Sequence, residues 1–179
     1  MTSSVQILPH YTFEDWQRWE GQWELIHGIP YAMSPAPVPK HQIISASLTA
    51  EFRMALKKCK QCKVMQPIDF KVADDIIVQP DLLVVCSKIE KTYLDFPPSL
   101  VAEITSPATA LKDRHTKFEI YQSQQIKFYL IISPDTEEAE IYECIEDTYK
   151  LMQKGKHFSY TFNFDENCDA PINFAEVWK

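Results

Sequence analysis

Leu100-Val101-Ala102-Glu103-Ile104-Thr105-Ser106-Pro107 is the stretch that decides the fold. Its first five residues form an apolar run interrupted by one carboxylate, the pattern of a central strand buried on both faces. Downstream, Lys112 to about Gln124 places Phe118 and Tyr121 on the inward face of a helix, and Phe128-Tyr129-Leu130-Ile131-Ile132 returns as a second apolar strand. Strand, helix and strand in this order predict a right-handed βαβ crossover joining two parallel strands.

Upstream, Leu82 to Cys86 is another near-continuous apolar run, and Met65–Val72 with Ile76–Val78 reads as a strand pair around Ala73-Asp74-Asp75. From about His41 to Lys58, Ile44, Leu48, Phe52, Ala55 and Leu56 recur at helical spacing, which predicts the longest helix. Residues 34–39 are a proline-rich loop. Trp23–Ile26 and Ile29–Met33 flank His27-Gly28, a hairpin signal, and Thr12 caps a short helix from Phe13 to about Glu20 that carries Trp16 and Trp19 on one face. Glu140–Ile145, Lys150–Gln153 and Phe158–Phe164 predict a closing antiparallel meander. The series is one domain, residues 1–179, of α/β (α+β) class, with a mixed central sheet flanked by helices and an N-terminal helix and hairpin.

Composition narrows the function classes. The chain has 179 residues, 45% of them hydrophobic and 24% charged, as expected of an ordinary globular protein with a full core. The first residues carry no basic and apolar signal pattern, no apolar run approaches a membrane span, and the cytoplasm is the expected compartment. Five cysteines, Cys59, Cys62, Cys86, Cys144 and Cys168, are odd in number and scattered, so they are expected to be reduced rather than to form a disulfide framework. Cys59-x-x-Cys62 has the spacing of half a zinc site, but no second pair or HxxxH follows in the sequence. A formal net charge of −7 argues against coating nucleic acid by bulk electrostatics and leaves room for a local basic rim. Lys57, Lys58, Lys60 and Lys63 form one cationic cluster; Lys112, Arg114 and Lys117 form another.

Three residues carry candidate chemistry. Asp81, in Gln79-Pro80-Asp81-Leu82, and Glu103 each border or interrupt an apolar run, where an unpaired charge is expensive. Each therefore asks for a partner. A divalent cation such as Mg²⁺ (or Mn²⁺) is one answer, with the Ile104 backbone carbonyl as a third oxygen. Lys117 on the next helix would offset charge developing on a phosphodiester under attack. An ordinary ion pair, with Lys117 or Arg114 neutralising buried acids, is the other answer.

The ordered series Trp23-Glu24-Leu25-Ile26-His27-Gly28-Ile29, Met33-Ser34-Pro35-Ala36-Pro37 with His41, Gln79-Pro80-Asp81-Leu82, and Ala102–Thr109 followed by Asp113, Lys117 and Tyr121 resembles the restriction endonuclease domain family of the PD-(D/E)xK nuclease superfamily. The resemblance spans about Tyr11 to Pro134. It implies a restriction endonuclease-like fold, with Asp81 and Glu103 as the motif acids and metal ligands. The superfamily's usual lysine would fall at Thr105; the resemblance implies its migration to Lys117. It makes Glu24 a further catalytic or metal-ligating acid and His41 a phosphate contact, and Arg114 beside Lys117 is a second candidate for phosphate. One departure stands out: Gln125–Leu130 lacks the acidic residue that relatives carry in a Gly-Val-x-Glu-Tyr-Trp-like segment.

The leading expectation is a Mg²⁺-dependent DNA endonuclease acting as a homodimer, with Ile141-Tyr142 and Tyr160-Thr161-Phe162 as surface to cover. The alternatives are a catalytically silent nuclease fold that binds nucleic acid or protein, and an interaction module whose acids only form ion pairs. Arg114 and Tyr121 are expected to flank Lys117 on the cleft side, three and four residues away.

Overall fold

A computed structural model of the chain describes residues 8–33, 38–165 and 168–179. Residues 34–37 of the proline-rich loop and residues 1–7, read above for a signal segment, lie outside them. In order, the elements are α1 (Phe13–Trp16), β1 (Trp23–Ile26), β2 (Ile29–Ala32), α2 (Pro39–Ala55), β3 (Lys63–Met65), β4 (Phe70–Ala73), β5 (Ile76–Val78), β6 (Leu82–Val85), β7 (Leu100–Ile104), a π-helical turn (Lys112–Lys117) running into α3 (Phe118–Ser123), β8 (Phe128–Ser133), β9 (Glu138–Ile145), β10 (Thr148–Gly155), β11 (Ser159–Asp165), β12 (Cys168–Asn173) and α4 (Phe174–Val177).

The central sheet has six strands in the order β10-β9-β8-β7-β6-β3. Among them only β7 and β8 run parallel, in register from Leu100↔Phe128 to Ile104↔Ile132, as a crossover through α3 requires. The fold is therefore α+β with a mixed central sheet. All five residues of β7 and all four of β6 are buried because both faces of the sheet are covered. On one face Leu82, Val84, Ala102, Ile104, Leu130 and Ile132 pack under α2, which contributes Ile44, Leu48 and Phe52. On the other Leu83, Val85, Val101, Tyr129 and Ile131 pack with Ile120 and Tyr121 of α3. Alternation along β7 puts Glu103 on the α3 face, beside Val101.

A smaller sheet, β2-β1-β5-β4, joins the N-terminal hairpin to the β4–β5 hairpin. Its β1–β2 turn takes positive φ at His27 (50°) and Gly28 (75°), the signature of a two-residue turn whose twist matches the strands. Gly28 has a second reason to be glycine. A Cβ there would lie 2.3 Å from the His10 ring.

Three expectations are corrected. The expected strand Met65–Val72 is two strands, broken at residues 66–69 around Pro67. The cysteines are not all unpaired: Cys59 is joined to Cys168 and Cys62 to Cys86, leaving Cys144 free among the described residues. Ile141 and Phe162, expected at an oligomer surface, are 0% exposed in their own chain. Among the described residues no helix is long and apolar enough to cross a membrane.

Candidate active site

Antiparallel pairing of β6 and β7 runs Leu83↔Val101 and Leu82↔Ala102. One more step in that register sets Asp81, at the mouth of β6, opposite Glu103, and facing residues of such a pair have Cβ atoms roughly 5 Å apart. Asp81 Oδ2 accepts the Ile104 backbone N–H at 2.8 Å, which pins the carboxylate across the end of β7. Asp81 keeps a 23% exposed side chain, whereas Glu103 is nearly sealed. The third side chain, Lys117, is 3% exposed. Its Nζ donates to Glu103 Oε1 at 3.0 Å, lies 2.6 Å from Glu24 Oε1, and is 3.9 Å from Asp113 Oδ1. Tyr121 donates its hydroxyl to the same Glu103 oxygen at 2.6 Å.

Glu24, wholly buried at the centre of β1, accepts from Lys117 and Lys112 and from the Gln79 backbone N–H at 3.0 Å. Lys112 and Lys117 are five residues apart. On an α-helix they would point about 140° apart. In a π-helical turn i and i+5 are hydrogen-bonding partners and lie over one another, so both ammonium groups reach the single carboxylate. Entry to this turn is fixed by a reciprocal exchange, Ser106 N–H to Thr109 Oγ1 (3.1 Å) and Thr109 N–H to Ser106 Oγ (3.3 Å). The Tyr129 hydroxyl holds it from below by donating to the Asp113 carbonyl at 2.8 Å.

The same turn redirects Arg114. Rather than flanking Lys117 with Tyr121, it makes a two-pronged pair with Glu140 of β9, both N–O distances 3.0 Å, and Tyr142 donates to Glu140 as well. Arg114 is thereby engaged on the β9 side. Asp113 is buried and faces Lys117.

The protonation pattern separates the acids. Burial pushes Glu24 up, but the two lysine charges outweigh it and hold its pKa below the usual value. Glu103 goes the other way. Burial raises it well above the ordinary carboxylate value, Lys117 offsets only part, and the charges of Asp113, Asp81 and Glu24 add to the rise. Asp113 is raised by burial, against the pull of Lys117. Lys117 would be lowered by burial, yet Glu103, Glu24 and Asp113 hold it above an ordinary lysine. It is a fixed cation, not a base. Glu24, Asp81, Glu103 and Asp113 share two lysines, and the raised Glu103 and Asp113 reflect that crowding; a cation beside Glu103 would favour its charged form.

His41, near the start of α2, has Nε2 3.3 Å from Asp81 Oδ2. Burial alone would lower its pKa, but Asp81 and the nearby Ile104 backbone leave it raised. The Ile104 carbonyl, expected as a third metal oxygen, is close enough to the His41 ring to favour its protonated form. A cleft of about 320 Å³, lined in part by His41, Ser45, Gln66 and Asp81, opens over this corner.

The donor set fits one kind of metal. Among the described residues no three His, Cys, Asp or Glu side chains are arranged to hold an ion, which is unlike a zinc site of several protein ligands. Mg²⁺ keeps several waters and binds through one or two carboxylates. Among the described residues Asp81 Oδ1 and Glu103 Oε2 take no hydrogen bond, so each acid has one oxygen held by protein and one spare.

A sheet of this topology, with two acids at adjacent strand ends and a lysine on the crossover helix, defines a restriction endonuclease-like domain. Residues 11–160 match the Uma2 family model, described as "Putative restriction endonuclease", and the chain belongs to that family. The crystal structure of a putative nuclease belonging to DUF820 from Anabaena variabilis superposes with a TM-score of 0.75, covering 93% of this chain and 97% of that one at 15% identity, which is a likeness of fold. The uncharacterized protein slr1290 of Synechocystis is 26% identical over 157 residues, covering 78% of this chain and 77% of its own.

Proposed function

We propose that this protein is a Mg²⁺-dependent (or Mn²⁺-dependent) DNA endonuclease acting in the cytoplasm as a homodimer. Asp81 and Glu103 would hold the ion through their spare oxygens. Bound there, it supplies Lewis acidity toward a phosphoryl oxygen. Lys117 contributes a positive charge that never leaves, positioned by Glu24 and Asp113, to offset charge growing on the phosphate. Tyr121 orients Glu103 through its hydroxyl. His41, which borders the cleft, would meet a phosphate beside Asp81, and Lys112, with 22% of its side chain exposed, is the more accessible of the two lysines. The observation that carries the reading is the pair of cross-strand acids, each with one oxygen held and one spare, beside a buried lysine. The test is cleavage of supercoiled plasmid in Mg²⁺ or Mn²⁺, wild type against Asp81→Ala and Glu103→Gln. Metal-dependent nicking lost in both variants supports it; nicking that survives both overturns it.

One observation favours a second reading, a nucleic-acid binder without catalysis. Lys117 is already surrounded by three carboxylates and sealed from solvent. Tight binding of a labelled duplex with no cleavage in either metal would move this reading to first place.

A further inference from the structure

Four of the five cysteines meet at one point, well away from the carboxylates. Cys59 and Cys62 lie on the turn after α2, Cys86 directly follows β6, and Cys168 opens β12, so three distant stretches of chain contribute. Pairing of β3 with β6 begins at Lys63↔Val85, and one step further Cys62 faces Cys86. Cys168, joined to Cys59, also brings its Sγ to 3.6 Å from the Cys62 Sγ. The two disulfides are thus one cluster of four sulfurs. Cys59, Cys62 and Cys168 are buried and Cys86 is partly so. Asp81 and Cys86 bracket β6, which separates cluster and carboxylates by roughly 17 Å along the strand.

We propose that the reduced form of this cluster is a structural Zn²⁺ site of four thiolates, and that the two disulfides are its oxidised state. Ligand type and number are those of a closed structural zinc centre, with the C-x-x-C pair supplying two ligands from one tight turn. That turn is formed: the Cys62 N–H donates to the Cys59 carbonyl at 3.0 Å, and the Cys59 N–H to that of Leu56 at 2.9 Å. A tetrahedron with Zn–S bonds of about 2.3 Å has sulfurs roughly 3.8 Å apart, close to the separation already present between Cys62 and Cys168. Four thiolates around Zn²⁺ leave a charge of −2. Lys57, Lys58, Lys60 and Lys63 immediately flank the C-x-x-C pair and provide a basic surround. In the oxidised state the sulfurs are bonded to one another, and among the described residues no three His, Cys, Asp or Glu side chains are grouped to hold an ion. Reduction makes the site. Two disulfides take up four electrons and four protons, supplied by two equivalents of a dithiol that is oxidised to its own disulfide. Binding of Zn²⁺ to the four thiols then releases the four protons.

The full chain, reduced with a dithiol and desalted without oxygen, is titrated with Co²⁺ and, separately, with Zn²⁺. The expected result is one ion per chain, with the thiolate-to-metal absorption of a tetrahedral sulfur site for Co²⁺ and a rise in melting temperature of roughly 10 °C for Zn²⁺. Cys144→Ser should keep both signals. Cys86→Ser, at the partly exposed position, and Cys168→Ser should each lose the stoichiometric binding; if Cys168→Ser does not fold, Cys86→Ser decides. A protein with four additional free thiols that binds neither ion overturns the proposal. So does a chain in which only Cys144 reacts with a thiol reagent after native reduction, or a Cys86→Ser variant that binds as the wild type does.

Discussion

Lys117 sits where a single substitution has consequences on two levels. Its ammonium neutralises Glu24 and Glu103 inside the protein, and an unpaired buried charge is far more costly than an absent pair. Lys117→Met is therefore expected to cost about 3–5 kcal/mol of stability, read by urea unfolding, as well as abolishing cleavage. Adding Glu103→Gln to Lys117→Met should recover part of the stability and none of the cleavage, because Glu24 keeps Lys112 as a partner and Glu103 is the acid left stranded. If the single variant unfolds like the wild type, Lys117 is not the counter-ion of this cluster. Tyr121→Phe is a milder probe. It keeps the buried ring and removes only the donor at 2.6 Å, so it should cost about 1–2 kcal/mol and weaken Mg²⁺ dependence, measured as the metal concentration giving half-maximal cleavage.

Among the elements, the π-helical turn matters most, because it decides which cations face Glu24 and which face β9. The pair it creates on the far side, Arg114 with Glu140, has a pH signature. Burial opposes it, but Arg114 and Tyr142 bring the Glu140 carboxyl from 4.5 down to about 2. A depressed acid contributes stability that is complete above its unfolded pKa and lost as pH falls through the folded value. Wild type should thus exceed Glu140→Gln by about 2 kcal/mol at pH 6, and the gap should close between about pH 4.5 and 2 in thermal melts across that range. A gap that stays constant with pH would show that Glu140 is held by packing and not by its charge. The turn also marks where sequence reading stops. Helical spacing of three and four predicted that Arg114 would share a face with Lys117, and nothing in Lys112–Lys117 announces that the repeat widens to five. Lys112 is visible as a basic residue, but its contact with Glu24 depends on that widening. By contrast β6, β7 and β8 are legible because burial on both faces demands an unbroken apolar run. The ends of such runs are where Asp81 and Glu103 stand out. β12 is not legible, since Pro171 speaks against a strand and is tolerated here only because β11 and β12 form a two-stranded sheet with free outer edges. The cysteine pairing is likewise a property of topology, since the partners of Cys59 and Cys62 lie 109 and 24 residues away.

At the scale of the molecule, the question is how a chain of net charge −7 would engage two strands of a duplex. A dimer is the proposed solution; of the residues first expected to form it, Ile141 and Phe162 are buried within the chain, Tyr142 and Tyr160 are half-buried and Thr161 is exposed. Leu151 (52%) and Met152 (42%) are adjacent exposed apolar side chains on β10, which is an edge of the central sheet. Direct strand-to-strand pairing there is discouraged in two ways. The register with β9 slips between Leu151 and Gln153, which kinks the edge, and Lys150 and Lys154 place charge along it. Contact through the side chains of Leu151 and Met152 is the remaining mode, and a patch this small gives a modest affinity. Light scattering at micromolar concentration is expected to give a dimer mass that falls to the monomer on dilution. Leu151→Lys with Met152→Lys should give a monomer at every concentration while the melting temperature changes little, since both side chains are already in water in the single chain. A wild-type protein that is monomeric throughout removes the dimer, and with it the idea that two copies of this site address the two strands together.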